Sequence, residues 1–216
     1  MKRISKFIFI TALALCAAQL SDAQANKGAK EANKLARDGA EASKNQDFDK
    51  AVELLRKATD LDHKYADELA AVYQQRAYSA AKNQQFQDAA NDYGEAIKLK
   101  PDDARIYEQR AAVEMKLNDM DKALADYSEA IKHKPNEVRY YSYRSYIYEV
   151  KGDLKNSMAD NDQVLKLDPK NQEAIDRKKR LETLQSMRAT PPPPPPPPPA
   201  ASRNSSPTRA RTPHKP

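Results

Sequence analysis

The chain has 216 residues, with 37 Lys and Arg against 31 Asp and Glu, 15 Pro, only 4 Gly, one Cys and no Trp. An apolar fraction of 39% beside 31% charged residues excludes a multi-spanning membrane protein. With so few glycines a turn-rich sandwich or barrel is excluded as well, and an all-helical chain is expected. In chain order, residues 1–25 come first. Lys2, Arg3 and Lys6 precede twelve uncharged residues at 7–18, and Ala23 and Ala25 stand two apart. A basic start, a short apolar middle and a small-x-small site describe a secretory signal peptide, too short to span a bilayer comfortably. Cleavage after Ala25 is expected. Leu15, before Cys16, is not the small residue that a lipid-modified bacterial signal wants. Cleavage would remove Cys16, so the exported chain, periplasmic or secreted and more bacterial than eukaryotic in its signal, would carry no thiol chemistry.

Beyond a lead-in at 26–31 the chain repeats. Phe86, Ala89, Tyr93, Ala96 and Pro101 recur as Met120, Ala123, Tyr127, Ala130 and Pro135, an offset of 34. Another 34 residues on stand Leu154, Ser157, Asn161, Val164 and Pro169. Upstream, Phe48, Ala51, Leu55 and Ala58 match at an offset of 38, so four extra residues separate the first two units. The preceding half-units repeat too: Leu35, Asp38 and Gly39; Tyr73, Arg76 and Ala77; Tyr107, Arg110 and Ala111; Tyr141, Arg144 and Ser145. Within each half, apolar residues fall at three- and four-residue spacing, the signature of an amphipathic helix. Pro101, Pro135 and Pro169 lack the donor that would continue a helix. Asn118 and Gly152 sit where left-handed backbone is cheapest.

These residues resemble the tetratricopeptide repeat family: an aromatic, a Leu–small pair, an alanine, an aromatic four later, and a closing proline. The resemblance implies an all-α, right-handed solenoid of four antiparallel helix pairs, at 32–65, 70–103, 104–137 and 138–171. A capping helix follows at 172–188, with Ala174, Leu181 and Leu184 covering the last unit and Arg177, Lys178, Lys179 and Arg180 outside. The sequence departs from the pattern at its Leu, which is Arg or Asp throughout, at His63 in place of Pro, and at Asn161 in place of an aromatic. Arg76, Arg110 and Arg144 are each followed sixteen residues later by Asp92, Asp126 and Asp160, and in the first unit both members change together. Structural ion pairs between the two helices of a unit are expected, with a ligand-binding role for the arginines as the alternative.

For chemistry the sequence offers little. His63, His133 and His214 are scattered, and no paired-Cys or His-x-x-x-His spacing, phosphate loop or Gly-x-Ser-x-Gly turn occurs. No enzyme activity, cofactor or metal is expected. Counted with Asp22, the signal-like segment carries +2, and Arg203, Arg209, Arg211 and Lys215 give the end of the chain +4, so the core is neutral and a poor nucleic-acid binder. The family typically holds extended peptides in a concave groove. By repeat position that groove would carry Asn33, Ala36, Ala40 and Lys44; Ala71, Gln74, Tyr78 and Lys82; Arg105, Glu108, Ala112 and Lys116; and Arg139, Ser142, Tyr146 and Glu149. Lys44, Lys82, Arg105, Lys116 and Arg139 against two acids predict an acidic or carboxylate-bearing partner segment, with Gln74 and the tyrosines as further contacts; the plainer alternative is a set of solvated helix faces. Ala36 and Ala40 occupy the positions where some members clamp a chaperone carboxylate, so that clamp is absent. Of the tyrosines at 140–148, Tyr141 and Tyr148 are expected to pack and Tyr143 and Tyr146 to face the groove or its rim.

The last segment, 189–216, holds nine consecutive prolines at 191–199 and almost nothing apolar. It is expected to be disordered, with the proline run a stiff rod. It reads as a spacer, as a ligand for a proline-reading partner, or as a weak contact to an anionic surface. The expected function is thus a non-enzymatic protein–protein scaffold in the cell envelope. The alternative is a tether driven by this tail. Self-association through an exposed end stays open.

Overall fold

A computed structural model describes Gln24 and residues 26–189. The signal-peptide reading and the proline-rich tail lie outside the described residues. Among these residues there are nine α-helices and no strand: α1 (26–44), α2 (Phe48–Leu61), α3 (Ala66–Lys82), α4 (Phe86–Leu99), α5 (Ala104–Lys116), α6 (Met120–His133), α7 (Val138–Val150), α8 (Leu154–Leu167) and α9 (Gln172–Ala189). The expected lead-in at 26–31 is already the start of α1. The four extra residues between the first two units also have a structural form. Asp62 caps a single 3-10 turn, His63–Tyr65, and α3 starts one turn earlier than its counterparts.

Helices pair as α1–α2, α3–α4, α5–α6 and α7–α8, each packing on its neighbours in sequence, and α9 closes the far end on α8. Small residues set the close crossings. Ala77 and Ala89 are fully buried in one core cluster, and Ala111 and Ala123 in the next. Gly39 lies so near α2 that a Cβ would stand 2.8 Å from Leu55 Cγ. In the fourth pair the same crossing is made by Ser145 and Ser157, whose hydroxyls each donate to the other's backbone carbonyl at 2.9 Å.

The turn inside every pair has one form. Gln46, Gln84, Asn118 and Gly152 all take positive φ, from 61° to 74°. The following N–H groups, of Asp47, Gln85, Asp119 and Asp153, bond back to the carbonyls of Ala42, Ala80, Glu114 and Tyr148, which ties off the helix end. Asp47, Asp119 and Asp153 then cap the next helix through their side chains, while Gln85 makes no such bond. Asn161, in the aromatic's place, is buried and donates to the Ala174 carbonyl of α9 at 2.9 Å.

Candidate functional site: a graded groove on the first helices

One face of the array is built by α1, α3, α5, α7 and α9, and its floor and edge are set by repeat register. A cavity of about 630 Å³ opens there, and it brings together Lys44, Gln74, Tyr78 and Lys82 of the sequence-predicted groove. Gln75 and Gln109, which sequence reasoning missed, line it too. Ser43 donates to Gln75 Oε1 at 2.7 Å, and Gln109 Oε1 is buried without a hydrogen-bond partner. Three side-chain amides on one floor can bond the peptide groups of an extended chain. Tyr78 is 66% exposed. Beneath it, burial pushes the Tyr93 hydroxyl up to about 12, with Tyr78 adding to the shift.

The predicted groove charges divide into two classes. Arg105 bonds Asp103 at its own helix start, and Arg139 bonds Glu137 at 3.1 Å and Glu108 at 3.2 Å. Hydrogen bonds to those acids hold both guanidiniums above their ordinary range. Glu149 is engaged by Arg177 and Arg180. Lys44, Lys82 and Lys116 are exposed and form no ion pair with any described residue. The reading of five bases against two acids is therefore corrected to three lysines without an ion pair to any described residue, because Arg105 is met by the cap of its own helix and Arg139 by Glu137 and by Glu108 of α5. Ala36 is also removed from the groove surface, since it is buried in the core against α2 and α3, and Asn33 accepts a hydrogen bond from the Tyr65 hydroxyl.

The repeating arginines lie off this groove. Arg76 makes two 2.7 Å bonds to Asp92, Arg110 bonds Asp126 at 2.8 and 2.6 Å, and Arg144 bonds Asp160 twice at 2.8 Å. Each is a bidentate fork on a buried carboxylate. The hydrogen bonds to aspartate raise all three guanidiniums above their usual range. Arg76 also reaches Asp49 on α2, and Arg144 reaches Ser128 on α6, so the forks tie units to one another.

At the far end two expectations are corrected. Arg177, placed outside by sequence, is 3% exposed. It donates to the Ser142 carbonyl at 3.1 Å and to Glu173 at 2.6 Å, and its Nε stands 3.4 Å from Glu149. An arginine enters here because Glu149, on α7, is itself half-buried and demands a counter-charge. Leu184, expected to cover the last unit, is 40% exposed. Of the α7 tyrosines, Tyr141 is buried and Tyr143 and Tyr146 are exposed, as expected, whereas Tyr148 is only half-buried and Tyr140 is buried as well. Tyr140 was missed because α7 packs on α6 as well as on α8. Tyr143 stacks on Tyr127 at 5.5 Å.

Among the described residues no group of three or more His, Cys, Asp or Glu is arranged to hold a metal ion, and no helix is long and apolar enough to cross a membrane. The model of the family described as "Tetratricopeptide repeat" matches residues 75–136 and 108–172. The chain is similar to the Arabidopsis OM64 TPR domain, with 31% identity over 55% of this chain and 98% of that one, at a TM-score of 0.50. It is also similar to the first TPR of Spaghetti (RPAP3) bound to the HSP90 peptide SRMEEVD, with 20% identity, 56% and 95% coverage and a TM-score of 0.52. The crystal structure of MamA protein covers 74% of this chain and 85% of its own, with 13% identity and a TM-score of 0.56. No curated protein sequence matches the chain.

Proposed function

Because the chain belongs to the tetratricopeptide repeat family, we propose that it is a non-enzymatic scaffold of the cell envelope that captures an extended, acidic peptide segment in the groove of its first helices. Repeats of this family are protein–protein interaction modules, and the fold is generally a non-enzymatic one. The observation that carries the reading is the cavity of about 630 Å³ where Gln74, Gln75 and Gln109 meet Tyr78, Lys44 and Lys82. Amides pair with peptide groups, tyrosine supplies rigid contact area, and unpaired lysines attract carboxylates. The RPAP3 domain carries a peptide with two glutamates and an aspartate, a ligand of the same charge class. The envelope setting rests on the signal-like residues 1–25.

The test is crosslinked capture from envelope extract by three chains: the mature protein from Asn26, the K82E/K116E variant, and a version ending at Ala189. A partner captured by the first and third and lost by the second is expected. Capture that survives K82E/K116E and fails on truncation would overturn the groove reading in favour of a tail-driven tether.

A further inference from the structure

The last residue of the first helix in each unit is Lys44 in α1, Lys82 in α3, Lys116 in α5 and Val150 in α7. Leu184 of α9 continues the same register. Val150 is 53% exposed and Leu184 40% exposed, so neither is spent on the core. This register position is thus a lysine in three units and an exposed apolar side chain in the last two helices. Beside it, Tyr78 stands next to the lysines and Tyr146 next to Val150. Elsewhere at this end Glu149 is paired with Arg177 and Arg180 and Lys151 with Asp121, while Arg188 of α9 donates to the Gly152 carbonyl at 2.9 Å.

We infer that the groove reads a two-part ligand, an extended segment of another protein whose acidic residues lie over α1, α3 and α5 and whose apolar residues lie over α7 and α9. This rests on the groove reading proposed above and names its partner's pattern. Helices packed side by side lie about 8–10 Å apart, and an extended chain rises about 3.3 Å per residue. One rung therefore meets every third residue of the ligand. The matching segment has three acids at three-residue spacing, followed at the same spacing by two large apolar side chains. Charge complementarity selects the acidic part, since no described residue forms an ion pair with the three lysines.

The test uses the full chain and fluorescein-labelled synthetic peptides, read by anisotropy. One 13-residue peptide carries Glu at its first, fourth and seventh positions and Leu at its tenth and thirteenth, and a second has that order reversed, because the backbone direction is set by the floor. A third has the same composition with Glu and Leu interleaved, and a fourth is the acidic part alone. One of the two block peptides should bind about tenfold more tightly than the interleaved one. V150D/L184D, at exposed positions, should reduce that block peptide to the affinity of the acidic part, and K82E/K116E should weaken both. Equal binding of block and interleaved peptides, or no effect of V150D/L184D, overturns the inference. If the acidic peptide still binds through Lys82 and Lys116, the groove reading stands without it; if no peptide binds, both fall. The chain ending at Ala189 should bind as the full chain does, and sedimentation should show no dimer that V150D/L184D dissolves. Tighter binding after truncation would assign the apolar rungs to residues 190–216, and such a dimer would assign them to a second copy; either result contradicts the inference.

Discussion

Glu114 of α5 stands where α3 has Ala80 and α7 has Tyr148, yet it is 5% exposed. Its nearest cation, Lys122, is 3.9 Å away, and Oε2 has no hydrogen-bond partner. Burial pushes its carboxyl above the ordinary range, with Lys122 opposing. A carboxyl raised on folding favours the folded state when protonated, so its contribution is present at acid pH and is lost as pH rises through the folded value. Glu114→Gln should therefore raise the melting temperature at neutral pH, with the gain vanishing below about pH 4; thermal melts across pH read this directly, and a gain that persists in acid contradicts it. The Arg–Asp forks obey a different rule. Arg110→Leu leaves Asp126 buried and unpaired and should cost roughly 3 kcal/mol, whereas the double change R110L/D126L should come close to wild type. Urea denaturation of the two variants decides it, and equal losses would show that the pair is not the unit of stability.

At the level of the element, the helices and their ends follow from repeat spacing and proline stops, but the turns were only half legible. Asn118 and Gly152 announce left-handed backbone, while Gln46 and Gln84 take the same conformation with a residue type that gives no such signal. Their conformation is imposed by helices that must turn back within three residues. Gln84→Gly should stabilise by about 1 kcal/mol by relieving that backbone. Gln85→Asp should add a comparable amount by supplying the cap its counterparts Asp47, Asp119 and Asp153 already provide. Chemical denaturation of each variant measures both, and a loss in either would place the strain elsewhere. Gly39→Ala should destabilise by about 1–3 kcal/mol, because the new methyl meets Leu55 at 2.8 Å in a packed crossing. Ser145 and Ser157 show why composition alone misleads: they keep the small size of the alanine crossings and satisfy their hydroxyls on each other's carbonyls.

For the whole molecule, one stripe of small and aromatic residues repeated along the chain makes a stack in which each unit buries its neighbour. Register alone is enough to name Lys44, Gln74, Tyr78 and Lys82, which line one cavity. What register could not supply was pairing. Arg139 and Glu149 are paired by residues of adjacent first helices and Arg105 by the cap of its own helix, and Arg177 is drawn inside by Glu149 rather than left in water. The free lysines, Gln109 and the exposed Val150 emerge only once those pairs are drawn. The most direct test of the groove as the binding surface is hydrogen–deuterium exchange of the full chain with and without the acidic block peptide. Protection concentrated in α1, α3, α5, α7 and α9, with α4 and α6 unchanged, is the predicted result. Protection confined to the second helices, or to residues 190–216, would contradict it.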